Sequence, residues 1–548
     1  MKSKSTILVA FTGLLICTNA GHASAAPSAW QTLEDEGAKE LKEQDIPGAE
    51  AKFQAASEAA SNDSELSRSL NDLGLAKNAE KKDDEALALF LRSTALKEKI
   101  SSTDSPSLLP TLNNLASVQR ELNKQADAES TYNRMIGISE KANGKDHASV
   151  ALPLNELAAL YRSEKKFDLA EPLLRRILAI EEKNFGPDHP AVAKALDNLA
   201  TDLREQGKQT EAEPLLTRAL DIRSKPHDSN SSVSTNTDTK SGAGTEKVSQ
   251  KAAEAFSANN LARLYREKGQ FEKAEPLLKK CLQLSEEASG PDGRNTAVAL
   301  DNLARIEIEL GKFSEAEPLY KRAIAIKEKD QATPQEIAIS YDNLATLYVI
   351  EEKYELAEPW LKKALELREK AEGPNGNSVQ ISLNNLAILY RDQGNIDQAV
   401  DLTKRAVDIA RAEQAKGGQT VDLSTNLNNL ALLYREKGDS KGTGELFKEV
   451  VALRAKDPGA NPGEYANNLN NLARYYRENN RLAEAEPLYK QSLELREKAF
   501  GPESAEAGAT LRNYAILLRK LNRGSEAAAL DKRAEKIEDK TAVSVGQE

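Results

Sequence analysis

The chain has 548 residues, 29% of them charged and 5% aromatic, with a formal net charge of −11. An acidic balance argues against nucleic acid as a general partner and suits a well-hydrated surface. So few aromatics among so many charges describe exposed helices joined by thin Leu/Ala seams.

At the amino terminus, Lys2 and Lys4 form a short basic region, Ile7 to Cys17 an apolar run, and Ala23-Ser24-Ala25 a small-x-small cleavage site. Together they predict a secretory signal peptide over residues 1–25, with a run too short to span a bilayer. The rival is lipid attachment at Cys17, after Leu14-Leu15-Ile16, although such sites want a small residue where Ile16 stands. The chain is therefore expected to be exported, periplasmic or extracellular, with no membrane contact unless Cys17 is lipidated. Removing residues 1–25 shifts the charge to −13 and leaves Cys281 as the one cysteine. No intrachain disulfide is then possible, and Cys281, at a small core position, reads as a buried hydrophobe.

The rest is periodic. Asn470-Asn471-Leu472-Ala473 recurs as Asn428-Asn429-Leu430-Ala431 and Asn384-Asn385-Leu386-Ala387. Weaker copies begin at Asn71, Asn113, Asn155, Asp197, Asn259, Asp301, Asp342 and Arg512. The steps are 41 to 44 residues, except for 62 between Asp197 and Asn259. Such a period means stacked supersecondary units. Positions are counted below from the first residue of each copy, its marker.

The unit from Asn259 shows what repeats. Leu261, Ala262, Leu264 and Tyr265 follow a helical period, Gly269 stops the helix, and Ala274, Leu277, Leu278, Cys281 and Leu282 give a second amphipathic run. Each unit is thus helix A, turn, helix B, and two short helices must stack on neighbours to bury their faces. Ala86, Ala128, Ala170, Ala212, Ala274, Ala316, Ala357, Ala399, Ala485 and Ala527 all stand at +15; only Thr443 departs.

The small Ala262, aromatic Tyr265, turn Gly269 and small Ala274 resemble the tetratricopeptide repeat. The long period, the NNLA opening, the AEPLL second helix and the GPDHP-type link are similar to its kinesin light chain variety. The expected fold is all-α, a right-handed superhelical solenoid of about twelve units. A degenerate first unit lies at Trp30 to Ala60, with Gly37, Ala49, Phe53 and Ala56 at the small and aromatic positions. Units one to five occupy 26–223. A Ser/Thr/Asn-rich segment, 224–250, has almost no apolar residues and is expected to be disordered; it either loops out of one array or separates two. Units six to twelve occupy 251–538, and 539–548 is a tail. Gly442 and Gly444 mark the weakest stacking point, each costing about 1 kcal/mol against Ala in a helix. Asp531, where other units carry Tyr320 or Tyr489, suits a terminal helix with no successor. Pro172, Pro214, Pro276, Pro318, Pro359 and Pro487, near the start of helix B, are structural.

Seven residues turn a helix by about 700°, so marker and +7 lie nearly in line. That aligns Asn113 with Arg120, Asn155 with Arg162, Asp197 with Arg204, Asn259 with Arg266, Asn384 with Arg391, Asn428 with Arg435 and Asn470 with Arg477. The ladder breaks at Ile308 and Val349. The resemblance implies that helix A lines a concave groove in which asparagines hold an extended peptide backbone: Asn114, Asn198, Asn260, Asn302, Asn343, Asn385, Asn429, Asn471 and Asn513. An amide pairs with backbone of any sequence, and Arg162, Arg204, Arg266, Arg391, Arg435 and Arg477 would add affinity for carboxylates, hence for acidic segments. Asp72 and Glu156 depart from the Asn pattern. The structural alternative is that the amides bridge adjacent helices A and the arginines pair with acids of the next unit, Glu267 and Glu436 being near.

No catalytic, metal or cofactor site is expected. His147 and His189 sit in inter-repeat links, where Asp188 or His189 caps the next helix, and Gly242-Ala243-Gly244-Thr245-Glu246-Lys247 lacks phosphate-loop spacing. The expected function is a non-enzymatic scaffold binding protein or peptide segments. Its alternatives are a lipid-anchored assembly factor at a membrane and a regulatory subunit holding an enzyme in trans.

Overall fold

The computed structural model describes residues 27–225, 242–416, 423–456, 459 and 461–546, the backbone alone for 242–247 and 540–546. The signal peptide, its cleavage site, Cys17 and residues 226–241 of the expected linker lie outside them. Contacts divide the chain into two compact units, one ending at Ala299 and one starting at Leu300.

The described residues form twelve helical hairpins. In the first unit these are α1 (Ala29–Lys42) with α2 (Ile46–Ala59), α3 (Asp63–Ala79) with α4 (Asp83–Ile100), and α5 (Leu109–Glu121) with α6 (Gln125–Asn143). Then come α7 (Ala151–Ser163) with α8 (Phe167–Phe185), α9 (Pro190–Glu205) with α10 (Gln209–Ser224), and α11 (Gly242–Glu267) with α12 (Phe271–Ser289). Helix α13 (Arg294–Glu309) carries the boundary and pairs with α14 (Phe313–Lys329). The second unit continues with α15 (Pro334–Ile350) and α16 (Tyr354–Glu372), α17 (Val379–Asp392) and α18 (Ile396–Ala415), and α19 (Leu423–Lys437) and α20 (Ser440–Arg454). It ends with α21 (Pro462–Glu478) and α22 (Leu482–Phe500), then α23 (Ala505–Lys520) and α24 (Gly524–Gly546). The degenerate first repeat is thus a full hairpin, with Ala49, Phe53 and Ala56 buried.

Hairpin 4 shows how residues set the geometry. Leu154, Leu157 and Ala158 of α7 bury against Ala170, Leu174 and Ile177 of α8. Between them Lys165 takes φ 58°, the left-handed turn that closes the hairpin. Every hairpin from the second onward turns this way at +10: Gly207, Gly269, Gly311, Gly394 and Gly438 do it without strain, whereas Lys81, Asn123, Glu352, Asn480 and Asn522 do it with a side chain. After α8, Gly186 at φ 87° opens the link, and His189 caps α9 by accepting the Ala191 amide at 3.2 Å on Nδ1, with Pro190 first in the helix. The alanines at +15 are fully buried, because helices A and B touch there.

Successive hairpins are tied by polar pairs with the same period. Arg134, Arg176, Arg218, Arg405 and Arg533, all at +21, each reach a glutamate one hairpin back and a carbonyl in the link. Arg176, for example, meets Glu140 at 2.6 Å and the Lys145 carbonyl at 2.9 Å. The glutamate of the AEP motif, at +16, accepts from the next hairpin: Glu129 from Tyr161 at 2.9 Å, Glu358 from Tyr390 at 2.8 Å, and Glu171 from Lys208 at 2.7 Å. Lys208 holds the Glu171 carboxyl at about 2, and Lys490 with Arg523 does the same for Glu486.

Two expectations need correction, and one open alternative is decided. Residues 242–250, expected to be disordered, are the start of α11; few apolar residues did not outweigh the helix formers among them. Hairpins 5 and 6 pack across the insertion, Arg223 of α10 donating to the Ala253 carbonyl at 2.9 Å and to Ser257 at 2.7 Å, so the insertion does not divide the array. Residues 539–546, expected as a tail, continue α24. Gly442 and Gly444 are close approaches: a Cβ at Gly442 would lie 2.5 Å from Tyr434, and one at Gly444 2.3 Å from the Tyr475 hydroxyl. Asp531 forms an ion pair with Arg519.

Replacing Lys165 by Gly removes left-handed strain of about 1–2 kcal/mol and adds unfolded-state entropy of about 0.5–1 kcal/mol. Urea denaturation is expected to show a net gain of about 0.5–1 kcal/mol, and Gly207→Lys a loss of similar size.

Candidate partner-binding face

The amides expected on the groove fall into two sets. Asn114 donates to Asn71 of the preceding helix A at 3.1 Å, Asn471 to Asn428 at 3.0 Å, and Asn513 to Asn470 at 3.3 Å. Asn260 is buried and reaches Asp197 at 3.5 Å. These four bridge neighbouring helices, and Asn302 is also engaged. Asn198, Asn343, Asn385 and Asn429 are half-buried and make no side-chain hydrogen bond. Three of these, Asn343, Asn385 and Asn429, stand on successive hairpins of the second unit.

The arginines divide similarly. Arg120 meets Glu156 at 3.6 Å, Arg162 meets Asp202 at 3.8 Å, and the buried Arg204 meets Glu267 at 3.2 Å, each on the next helix A. Glu156, which breaks the Asn pattern, is therefore a bridging residue. Arg477 is buried and donates to the Asn513 carbonyl at 3.1 Å. Arg266 is engaged, and Arg391 turns to its neighbour Asp392 at 2.8 Å. The Arg435 side chain makes neither a hydrogen bond nor an ion pair among the described residues. The guanidiniums therefore form no continuous available ladder among the described residues: Arg120, Arg162 and Arg204 are spent on an acid of the next helix A, Arg477 on a carbonyl there, and Arg391 on its own neighbour.

A second pattern lies beneath this face. Where the marker is Asp, a cation stands at +26 and a serine two residues before the next marker. Asp197 binds Arg223 at 2.7 Å and Ser257 at 2.9 Å; Asp301 binds Lys327 at 2.5 Å and Ser340 at 3.0 Å; Asp342 binds Arg368 at 2.7 Å, which also donates to Ser382. All are buried. A buried carboxylate needs such a partner, and each Asp marker has one, although Lys97, Arg454 and Arg496 stand at +26 of Asn markers as well. The signal was present in the sequence as a fixed spacing of 26.

Hairpin 1 is the exception. Counting back from Ala49 makes Glu34 its marker, and +26 is Ala60. Glu34 is 1% exposed and accepts from Ser69 at 2.5 Å, while Ser69 accepts from Trp30 at 2.9 Å. Arg68 is 3.7 Å away and half-exposed, and Asp72 faces the same carboxyl. Burial, with the Asp72 charge adding to it, pushes the Glu34 carboxyl up to about 7.

The face has an apolar component that the asparagine pattern did not predict. In the first unit Phe256 and Val298, and separately in the second Ile339 and Ile381, stand four residues before Asn260, Asn302, Asn343 and Asn385, one helical turn away, and each is about half exposed. Ile388, four before Asp392, extends the strip on hairpin 9. Elsewhere, Cys281 is buried and its thiol is pushed up to about 11 by desolvation, which leaves it a packing residue. Among the described residues no group of three His, Cys, Asp or Glu side chains is placed to hold a metal, and no helix is long and apolar enough to cross a membrane.

Among known proteins, the family model described as tetratricopeptide repeat matches residues 41–141, 149–225, 253–329, 336–412, 422–498 and 464–539. Among solved structures, the chain is similar to BtubC (BKLC) from P. vanneervenii, 25% identical, over 39% of this chain and 89% of that one, with a TM-score of 0.34. It is also similar to a Podosopora anserina kinesin light chain of nearly identical TPR-like repeats, 23% identical, over 41% of this chain and 98% of that one, with a TM-score of 0.33. No curated protein matches significantly.

Two predictions follow from the buried charges. Arg368→Met strands the Asp342 carboxylate and is expected to cost about 3–5 kcal/mol in urea denaturation; adding Asp342→Asn, the marker of other hairpins, is expected to recover most of it. For Glu34, the folded carboxyl holds its proton to about 7 while the unfolded one releases it near 4.5. The folded state therefore binds more protons between these values, and stability falls as pH rises through that window, by a few kcal/mol at most. In a Trp360→Phe background, Trp30 emission is expected to report a looser hairpin 1 at pH 8 than at pH 5, and Glu34→Gln to remove the difference.

Proposed function

This chain belongs to the tetratricopeptide repeat family, and we propose that it is an exported, non-enzymatic scaffold that holds extended segments of partner proteins on its helix A face. Tetratricopeptide repeats serve protein–protein interaction, and the family is in general one of scaffolds without catalysis. The observation that carries the assignment to this face is the row Asn343, Asn385 and Asn429, whose amides lack intramolecular partners on three successive hairpins. Beside them, Ile339 and Ile381 expose apolar surface in register with the amides. An extended segment laid across the row would give backbone groups to the amides and alternate side chains to the isoleucines. Arg435, also without a partner, adds a carboxylate contact and favours acidic residues in the segment. Export rests on Lys2, Lys4, the apolar run Ile7 to Cys17 and Ala23-Ser24-Ala25.

The test separates available from bridging residues. Asn343→Ala, Asn385→Ala and Asn429→Ala combined with Arg435→Ala is expected to weaken capture of partner segments from a peptide library by at least tenfold, with circular dichroism and denaturation midpoint unchanged. Asn114→Ala with Asn471→Ala is expected to lower the midpoint instead. Undiminished capture by the quadruple variant would place the binding surface elsewhere.

A further inference from the structure

Between α8 and α9 lies a cleft of about 180 Å³, lined among others by Asn155, Glu181, Lys194, Ala195 and Asn198. It is far larger than the roughly 10–15 Å³ that one water requires. Its position in the repeat explains it. Glu181 stands at +26, where six hairpins place Lys97, Arg223, Lys327, Arg368, Arg454 or Arg496 and four others the small residues Ala60, Ser139, Ser285 and Ala410. Five of those cations reach a hydroxyl two residues before the next marker: Lys97 meets Thr111 at 2.7 Å, Arg223 meets Ser257 at 2.7 Å, Lys327 meets Ser340 at 2.7 Å, Arg496 meets Thr510 at 2.6 Å, and Arg368 meets Ser382. In hairpin 4 that hydroxyl is missing too, because the position is Ala195. Cation and hydroxyl are both absent, and space remains in their stead.

A carboxylate oxygen and two side-chain amides around the space are left with unmet hydrogen bonds. Glu181 Oε2 is shielded from solvent and has no hydrogen-bond partner. Asn155 donates to the Ala151 carbonyl at 3.1 Å, which leaves its own oxygen unpaired, and Asn198 makes no side-chain hydrogen bond. Lys194 stands exposed at the rim and forms no ion pair. We propose that this cleft is a subsite for a basic side chain of a bound protein segment, whose guanidinium or ammonium group takes the place that other hairpins fill with their own cation. The subsite rests on the reading of the helix A face as the binding surface, since Asn198 belongs to that face. Burial raises the Glu181 carboxyl above its usual range, with Lys194 opposing it; a seated cation lowers it again. The exposed Lys194 is free to swing aside, and its charge sets a cost that selects for a guest able to donate several hydrogen bonds at once, as a guanidinium does.

The full-length mature chain is titrated with N-acetyl-argininamide and, as the neutral counterpart, N-acetyl-glutaminamide, with binding read by saturation-transfer NMR. The wild type is expected to bind the arginine compound at least tenfold more tightly than the glutamine compound. Glu181→Gln is expected to abolish that preference with helicity unchanged, Lys194→Ala to strengthen arginine binding severalfold, and Glu181→Arg with Ala195→Ser to fill the cleft, eliminate binding and raise the melting temperature. Equal binding of the two compounds by the wild type, an unchanged preference in Glu181→Gln, or loss of binding in Lys194→Ala would each overturn the subsite, the last by marking the cleft as an anion site. Failure of the two readings is distinguishable. Arginine compound bound but no partner segment captured leaves the cleft standing without the groove. Segments captured but the arginine compound ignored leaves the groove without the cleft.

Discussion

Everything in this chain depends on the junction between helix B of one hairpin and helix A of the next. Two short amphipathic helices bury one face on each other and leave a second face open, so a hairpin is stable only when a neighbour covers it. The sequence therefore matches its residues in pairs one hairpin apart. The arginine at +21 and the glutamate one hairpin back are such a pair, as are the AEP glutamate and the tyrosine or lysine that follows it. One junction shows that the pairing itself is what matters: Arg411 stands where the others carry the glutamate, and Glu449 where they carry the arginine, with both contacts at 2.9 Å. The charges have exchanged places and the bridge remains.

The same logic governs charges that are buried. An asparagine marker satisfies itself through its neighbours' amides, as Asn71 and Asn114 do. An aspartate marker cannot, because desolvation of the carboxylate exceeds what one amide returns. Asp197, Asp301 and Asp342 accordingly have Arg223, Lys327 and Arg368 beneath them. Glu34 has no cation at the equivalent place, and burial raises its carboxyl to about 7 instead. In the Asp197–Arg223 pair burial raises the carboxyl and lowers the guanidinium, the desolvation that offsets much of a buried pair's attraction.

The fold was legible because its signals are redundant: the +15 alanine, the +10 turn and the marker recur too often to be misread. Boundaries were less legible where composition and propensity disagreed. Residues 242–250 carry too little apolar surface to look structured, yet they extend a helix whose remainder is anchored by Arg223. Gly444 looked like a weak point because helix propensity is local, whereas its reason is Tyr475 of the next hairpin. The candidate face was legible in position but not in availability. Which asparagine is bridging depends on the residue one period away, and a residue such as Arg477 can be placed on the right side of a helix and still be buried by the next one.

That distinction bears on how a repeat array acquires a binding surface at all. A side chain on helix A faces two demands, the neighbouring hairpin and a passing ligand, and it cannot meet both. On most hairpins the amides and arginines are used for bridging: Asn114 with Asn71, Arg120 with Glu156, Arg204 with Glu267, and Asn513 with Asn470. In hairpins 8 to 10 the bridging is taken over by other positions, Arg368 with Asp342 below the face and Asn384 with Asn426 at 2.7 Å beside it. Relieved of that work, Asn343, Asn385 and Asn429 stay open. A binding face in such a chain is thus created less by adding recognition residues than by moving the structural contacts one layer down.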